Sequence, residues 1–263
     1  MRLPGSEKVI VGYDLGNKYA QISCYVMGSE EEIRTLSSVA GSSVYTIPLA
    51  LSKSQGVNQW FYGSEAIRYA GEEEGILVEN LLKLARDGEP VQIDGAPIDP
   101  VALLTLFLKR SLGLLSQVTN TERIGALMIT CEELDHRMLE GLTAATEGLH
   151  LKTHQSCFQR HVESFYDYNL YQPEELWRHK TILCEYGDAS IRTYCMECNR
   201  HTTPVVAYME EREFPFPVPE SDEKMQEIAK KLCENQMISS VYLIGEAFSR
   251  DWMKDTLRYL CKG

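Results

Sequence analysis

The sequence predicts an α/β fold built as two lobes, and three observations lead to this. The first hundred residues read as strands separated by turns, at 8–14, 19–27, 32–39, 45–53 and, as a hairpin, 91–97. Strands and helices then alternate, which is typical of parallel crossover connections. The pattern with which the chain opens also returns near residue 181, so the chain contains an internal repeat.

The second part of the first lobe is predicted from capping residues and periodicity. Asp99 is the expected N-cap of a helix whose first residue is Pro100, with an apolar face that includes Leu104 and Leu108. The elements expected after it are a strand at 124–130, a helix at 135–147 that stops at Gly148, a strand at 149–156 and an amphipathic helix at 158–170. Residues 173–179 then read as a connection between lobes.

The repeat is centred on two strand–turn–strand patterns. "VIVGYDLGNKYAQIS" (9–23) and "TILCEYGDASIRTYCMEC" (181–198) both have an apolar strand, an acid, any residue, a glycine and an alternating strand. Asp14 thus corresponds to Glu185 and Gly16 to Gly187. The rest of the second copy is predicted as a strand at 203–209, a helix at 221–236, a strand at 239–246 and a helix from Phe248. We therefore expect lobes at 1–175 and 176–263, the second shortened and incomplete at its C-terminal end.

Composition excludes several classes of function. The 263 residues are 44% hydrophobic and 24% charged, with a formal net charge of −12. This charge repels a polyanion, so nucleic acid is not expected as a partner. No apolar stretch approaches the length needed to cross a bilayer, and the eight cysteines suit reduced thiols, so we expect a cytoplasmic protein without a membrane partner.

The repeated turn has a chemistry of its own. A glycine turn lets backbone N–H groups approach an anion such as phosphate, and a carboxylate beside it can hold Mg²⁺ through water. Asp14 and Gly16 therefore indicate a site for metal and phosphate. A tight hairpin in which the Asp14 side chain only caps the turn is the alternative interpretation.

The same residues carry a resemblance to the superfamily of sugar kinases, heat-shock chaperone ATPase domains and actins, and within it to bacterial members. "GYDLGNKYAQIS" resembles the first phosphate motif of that superfamily, "LCEYGDAS" the second phosphate motif, and "VYLIGEAF" the adenosine motif. "CFQRHVESFYDY" is similar to the helix that connects the lobes, with Glu163 near the acid that positions water. The resemblance implies an actin-like fold with ribonuclease H-like repeats.

The resemblance further implies a chaperone-like ATPase switch, with weak ATPase activity, that binds ATP and Mg²⁺ in a cleft between the lobes. Asp14 would organise the hydrated metal, and either Glu163 or Glu185 would orient the attacking water. The residues implied to contact the nucleotide are Gly16, Asn17, Lys18, Gly187 and Gly245.

Two departures from the motifs support a different function. Asp188 puts a carboxylate in the second phosphate motif, and Glu246 replaces a glycine in the adenosine motif. The alternative is a protein that keeps the fold, has lost nucleotide chemistry and binds an unknown protein partner. A kinase acting on a small molecule is a third, weaker alternative.

Cysteine and histidine spacings suggest two other sites, and both are weak. Cys195-x-x-Cys198-x-x-His201 lacks a fourth zinc ligand with suitable spacing. Cys157 and His161 could form a nucleophile–base pair only if both lie on one helical face, and Cys157 is better interpreted as a buried thiol.

Overall fold

The structure is a computed structural model, and its mixed α/β fold divides into two compact units, Met1–His161 and Val162–Gly263. It describes residues 8–30, 32–72, 75–118, 124–186, 190–199, 201–202, 206–215, 223, 226–227, 230–231 and 237–245. No helix within these ranges is long and apolar enough to cross a membrane.

The first unit contains eleven described strands and four described α-helices. The strands are β1 (Val9–Leu15), β2 (Tyr19–Val26), β3 (Arg34–Thr35), β4 (Ile47–Pro48), β5 (Leu51–Lys53), β6 (Trp60–Tyr62), β7 (Ile76–Val78), β8 (Val91–Ile93), β9 (Ala96–Ile98), β10 (Ile124–Cys131) and β11 (Ser156–Arg160). The helices are α1 (Gly63–Glu72), α2 (Leu81–Asp87), α3 (Pro100–Leu112) and α4 (His136–Gly148).

The main sheet of this unit has the strand order β11-β10-β1-β2-β3, and β4 also pairs with β2. β1 and β2 form an antiparallel hairpin, whereas β10 runs parallel to β1 and β11 runs parallel to β10. The carboxyl ends of β1, β10 and β11 therefore meet at one edge of the sheet. Loops at such an edge are where α/β folds commonly bind ligands.

The helices begin where their capping residues predict. The Asp99 carboxylate accepts the N–H of Val101 at the start of α3, and the Asp135 carboxylate accepts the N–H of Met138 at the start of α4. The apolar face of α3 joins the core of the first unit, in which Leu104 is fully buried. The predicted starts of both helices are confirmed.

Several parts of the first unit differ from the sequence prediction, and the single strand predicted at 45–53 is two strands, β4 and β5, in different sheets. The elements β6, α1, β7 and α2 were not predicted. The strand predicted at 149–156 is wrong, since β11 begins only at Ser156. Leu149 and Leu151 pack against the core from a turn, and the Gln155 side chain donates a hydrogen bond to the Ile124 carbonyl at 2.6 Å.

The second unit is built around a four-stranded sheet. Its elements are α5 (His161–Leu170), which starts with the last residue of the first unit, β12 (Lys180–Tyr186), β13 (Ser190–Asn199), β14 (Val206–Pro215) and β15 (Ile238–Ile244). The strand order is β14-β13-β12-β15, with β12 antiparallel to β13 and parallel to β15. The described residues between 223 and 231 are helical. The helix predicted from Phe248 lies outside the described residues.

The boundary between the units falls at 161/162 rather than at the predicted 175/176. The reason is α5, whose Val162 and Phe165 pack with Leu183, Tyr194 and Met196 in the core of the second unit. The sequence assigned this helix to the first lobe because it follows that lobe's last strand. Its apolar side chains are buried against the other sheet.

The two main sheets repeat one topology. In each, the first strand pairs antiparallel with the second and parallel with the fourth strand of the repeat, and the second pairs antiparallel with the third. Asp14 lies opposite Gln21, and Glu185 lies opposite Arg192, seven residues further along the chain in both hairpins. The predicted correspondence of Asp14 with Glu185 therefore holds in the strand register. Gly187 lies outside the described residues.

Candidate functional site

Three polar side chains of the first unit meet at the carboxyl edge of its parallel strands. Asp14 is the penultimate residue of β1, and Thr130 lies directly opposite it in β10. His161 is the residue that follows β11 and begins α5. Because these strands run parallel, their ends place the three side chains together.

Asp14 and His161 are in direct contact. Nε2 of His161 lies 2.8 Å from Oδ1 of Asp14, and the Thr130 hydroxyl donates to the same oxygen at 3.5 Å. An ionised carboxylate only accepts hydrogen bonds, so this contact assigns the proton to Nε2 of the imidazole. The Asp14 side chain is 55% exposed and that of His161 is 15% exposed. One oxygen of the Asp14 carboxylate is thus hydrogen-bonded, and about half of the side chain is accessible to solvent.

A compact turn follows Asp14. The Gly16 N–H donates to the Tyr19 carbonyl at 2.9 Å, and a Cβ at Gly16 would lie 3.1 Å from that oxygen. The Lys18 carbonyl accepts the Leu49 N–H at 2.7 Å. A side chain at Gly16 would push this turn apart by a few tenths of an ångström, and the N–H of Gly16 is used within the turn. Any backbone donors for phosphate are those that come after it.

A second carboxylate lies at the same edge. The Asn17 side-chain amide donates to Oε2 of Glu132 at 3.2 Å, and Glu132 directly follows β10. This contact joins the loop after β1 to the loop after β10. The side chains of Asn17 and Lys18 are exposed.

The side chain of Tyr13 forms the buried support beneath this edge. Its hydroxyl lies 2.7 Å from the Ser111 hydroxyl of α3, and its ring is fully buried. Burial raises the pKa of Tyr13 well above its usual value, and the Asp14 charge adds to this. The neutral phenol therefore anchors the end of β1 to α3.

Sequence reasoning did not assign Thr130 or Glu132, and it considered His161 only as a base for Cys157. The ends of parallel strands β1 and β10 were a usable signal for Thr130 and Glu132. His161 was misplaced because the preceding strand was predicted seven residues too early. In the structure, Cys157 lies on β11 with an exposed side chain, so the buried-thiol interpretation and the shared helical face are both wrong.

The acids predicted in the second unit differ from each other in exposure. Glu163 is exposed in the first turn of α5. Glu185 is only 6% exposed, and the Tyr194 hydroxyl donates to its Oε2 at 3.5 Å. Glu185 therefore belongs to the interior of the second unit.

Gly245 has a structural reason to be glycine. Its φ of +106° is rarely adopted by residues with a side chain, and a Cβ there would lie 2.7 Å from the Tyr186 carbonyl oxygen. The glycine allows the end of β15 to pass close to the end of β12. Asp188 and Glu246 lie outside the described residues.

Among the described residues, no three His, Cys, Asp or Glu side chains converge as ligands of a metal ion. The described part of the first unit offers a different kind of site, a single, partly exposed carboxylate whose contacts with Thr130 and His161 both involve Oδ1. Mg²⁺ often uses one or two carboxylates and keeps several of its waters.

Residues 32–263 match the C-terminal model of the family of unknown function DUF5716. The protein therefore belongs to this family. No curated protein matches the chain. The matched range begins after the β1–β2 hairpin, so it includes Thr130, Glu132 and His161 but not Asp14.

Proposed function

We propose that the protein binds ATP with Mg²⁺ through the first unit and acts as an ATPase-type switch on an actin-like, two-lobed fold. The observation that carries the proposal is the half-exposed Asp14 carboxylate, which lies near the end of the first strand beside a glycine turn and has polar partners in Thr130 of β10 and in His161, the residue after β11. The repeated strand order of the two units supports the ribonuclease H-like fold.

The residues at this edge fit a hydrated metal. Oδ1 of Asp14 is occupied by His161 and Thr130, whereas no hydrogen bond to Oδ2 comes from the described residues. Asp14 would hold Mg²⁺ through water, and the bound metal would neutralise phosphate charge. The backbone after Gly16 and the exposed Lys18 side chain would contact phosphate.

The remaining roles fall to the second unit. Of the two acids proposed to orient water, Glu163 is the better candidate, because its side chain is exposed whereas that of Glu185 is buried. The nucleotide contacts expected of Gly187 and Gly245 stay predictions. The required φ of Gly245 is compatible with this role but also explains the glycine without it.

Specific observations also favour the second candidate, a non-enzymatic interaction protein. Asp14 has a protein partner in His161, and the corresponding acid of the other unit is buried. A protein that kept the fold and lost nucleotide binding would show this pattern. The two candidates differ in their response to Mg·ATP.

A thermal-shift titration with Mg·ATP tests the proposal. A free ligand concentration of one hundred times the dissociation constant stabilises the native state by about 2.7 kcal/mol, which raises the melting temperature measurably. Asp14→Asn removes the charge with little change of shape and should abolish most of the rise. The matched control is Glu147→Gln, an exposed acid near the end of α4, which should respond as the wild type does.

A rise in the melting temperature that Asp14→Asn leaves unchanged would contradict the assignment of Asp14. Absence of any rise in the wild type, with Mg·ATP at millimolar concentration, would favour the interaction protein. Repeating the titration with EDTA separates metal-dependent binding from binding of the nucleotide alone.

A further inference from the structure

The His161–Asp14 contact has the geometry of a side chain that orients a metal-binding carboxylate. Nε2 lies 2.8 Å from Oδ1, within the range of a strong hydrogen bond, and the imidazole is largely buried while the carboxylate is half-exposed. A buried donor has few alternative positions. It therefore restricts the rotation of the exposed group that it contacts.

The contact leaves the two carboxylate oxygens of Asp14 in different environments. Oδ1 receives both the short contact from His161 and the longer one from Thr130. Oδ2 receives no hydrogen bond from the described residues, and the Asp14 side chain as a whole is 55% exposed. Carboxylates that bind metals are commonly fixed by a hydrogen bond to the other oxygen, and loss of that bond typically costs 10–100-fold in metal affinity.

The backbone gives His161 a defined place. It directly follows the last residue of β11, whose partner Cys131 ends β10 in the parallel register. The donor therefore lies at the junction of a strand and a helix rather than in a long loop. Side chains held by regular elements position a reacting group more precisely than those on loops.

We infer that His161 is a positioning residue that fixes the Asp14 carboxylate through Oδ1, so that Oδ2 is directed to the water shell of Mg²⁺. This inference rests on the proposed function. In the second unit the strand position of Thr130 is occupied by Ile244, which has no donor, and the acid is buried. The open, oriented carboxylate is thus specific to the first unit.

The test measures the Mg²⁺ concentration that half-saturates the melting-temperature rise at fixed ATP. His161→Phe keeps a ring and removes the donor, and it should raise this concentration 10–100-fold. His161→Gln retains an N–H donor and should restore the value to within a few-fold of the wild type. His154→Ala, which removes an exposed histidine from the segment before β11, is the control and should leave the value unchanged.

Three results would overturn the inference. His161→Phe could match the wild type, it could need less Mg²⁺ because the contact competes with the metal, or His161→Gln could be as impaired as His161→Phe. If His161→Phe does not fold, which far-UV circular dichroism detects, His161→Ala replaces it with the same expectation. Absence of any Mg·ATP response in the wild type refutes the proposed function and this inference together, whereas a normal response with unaffected His161 variants refutes the inference alone.

Discussion

The two units place an acid at the same register and give it opposite environments. Along β1 the residues alternate between buried and exposed, so Asp14 lies on an open face together with Ile10. In β12 the corresponding face is covered, because α5 packs Val162 and Phe165 against it, and Glu185 is buried. Strand topology fixes where the acid lies, while the neighbouring helix decides whether it can reach a ligand.

The largest expected effect is that of Gly245→Ala, which tests the close approach of strands in the second unit. In the first unit the residue that follows the equivalent strand position is Cys131, so a side chain is accommodated there. At Gly245 the new Cβ would meet the Tyr186 carbonyl at 2.7 Å in an unfavourable backbone conformation. We expect the free energy of unfolding, measured with urea, to fall by about 2–4 kcal/mol.

Gly88→Ala is the control for this variant. Gly88 also has a positive φ, +73°, but a Cβ there would meet nothing within 4 Å. Gly88→Ala should therefore lower the free energy of unfolding by only about 1 kcal/mol. Equal costs for the two variants would show that the Tyr186 contact has no effect.

The next effect compares the two acids directly in the protein without ligand. Glu185→Ala removes a buried side chain and its hydrogen bond with the Tyr194 hydroxyl, and it leaves a gap, so it should lower the free energy of unfolding by about 1–3 kcal/mol. Asp14→Ala removes an exposed carboxylate and should cost less than about 1 kcal/mol. Hydrogen exchange in peptides from 180–199 and 9–26 reports each unit separately. If Asp14→Ala destabilises its unit more than Glu185→Ala destabilises the other, the proposed difference between the two acids is wrong.

A smaller effect tests the support beneath Asp14. Tyr13→Phe removes a buried hydrogen bond to Ser111, but the Ser111 hydroxyl still donates to main-chain carbonyls of α3 at 2.9 and 3.1 Å. We expect the free energy of unfolding of the first unit, measured with urea, to fall by about 1 kcal/mol, with no change in the second unit. Faster exchange at β12 in this variant would contradict the separation of the two cores.

The smallest effect concerns acid stability of the first unit. The hydrogen bond from Lys53, with a second from the Gly56 N–H, holds the pKa of Asp94 below its usual value. A lowered pKa in the folded state stabilises at neutral pH, and this stabilisation disappears as the pH falls below about 4. Asp94→Asn should therefore be less stable than the wild type at pH 7, with a difference that narrows towards pH 2. A constant difference would exclude this linkage.

The repeat could be predicted because it depends on the order of residue types within a short stretch of the sequence. An apolar strand, an acid, a glycine and an alternating strand place Asp14 and Glu185 without knowledge of any distant contact. The capped helices α3 and α4 were predictable for the same reason, since Asp99 and Asp135 act on N–H groups two and three residues away.

The rest of the candidate site depends on distant contacts. Leu149 and Leu151 alternate like strand residues, yet the Gln155 side chain bonds to Ile124 and the strand begins afterwards. This shift decides that His161 follows the end of a strand. The burial of Glu185 likewise depends on α5 packing against the second sheet, which no residue near Glu185 indicates.

The position of the unit boundary has a covalent consequence. His161 touches the Asp14 carboxylate, and its immediate neighbour Val162 fills the core of the second unit. Consecutive Cα atoms are separated by only about 3.8 Å, with no flexible spacer between them. The imidazole that contacts Asp14 and the isopropyl group in the core of the second unit are therefore carried by two consecutive residues joined by one planar amide.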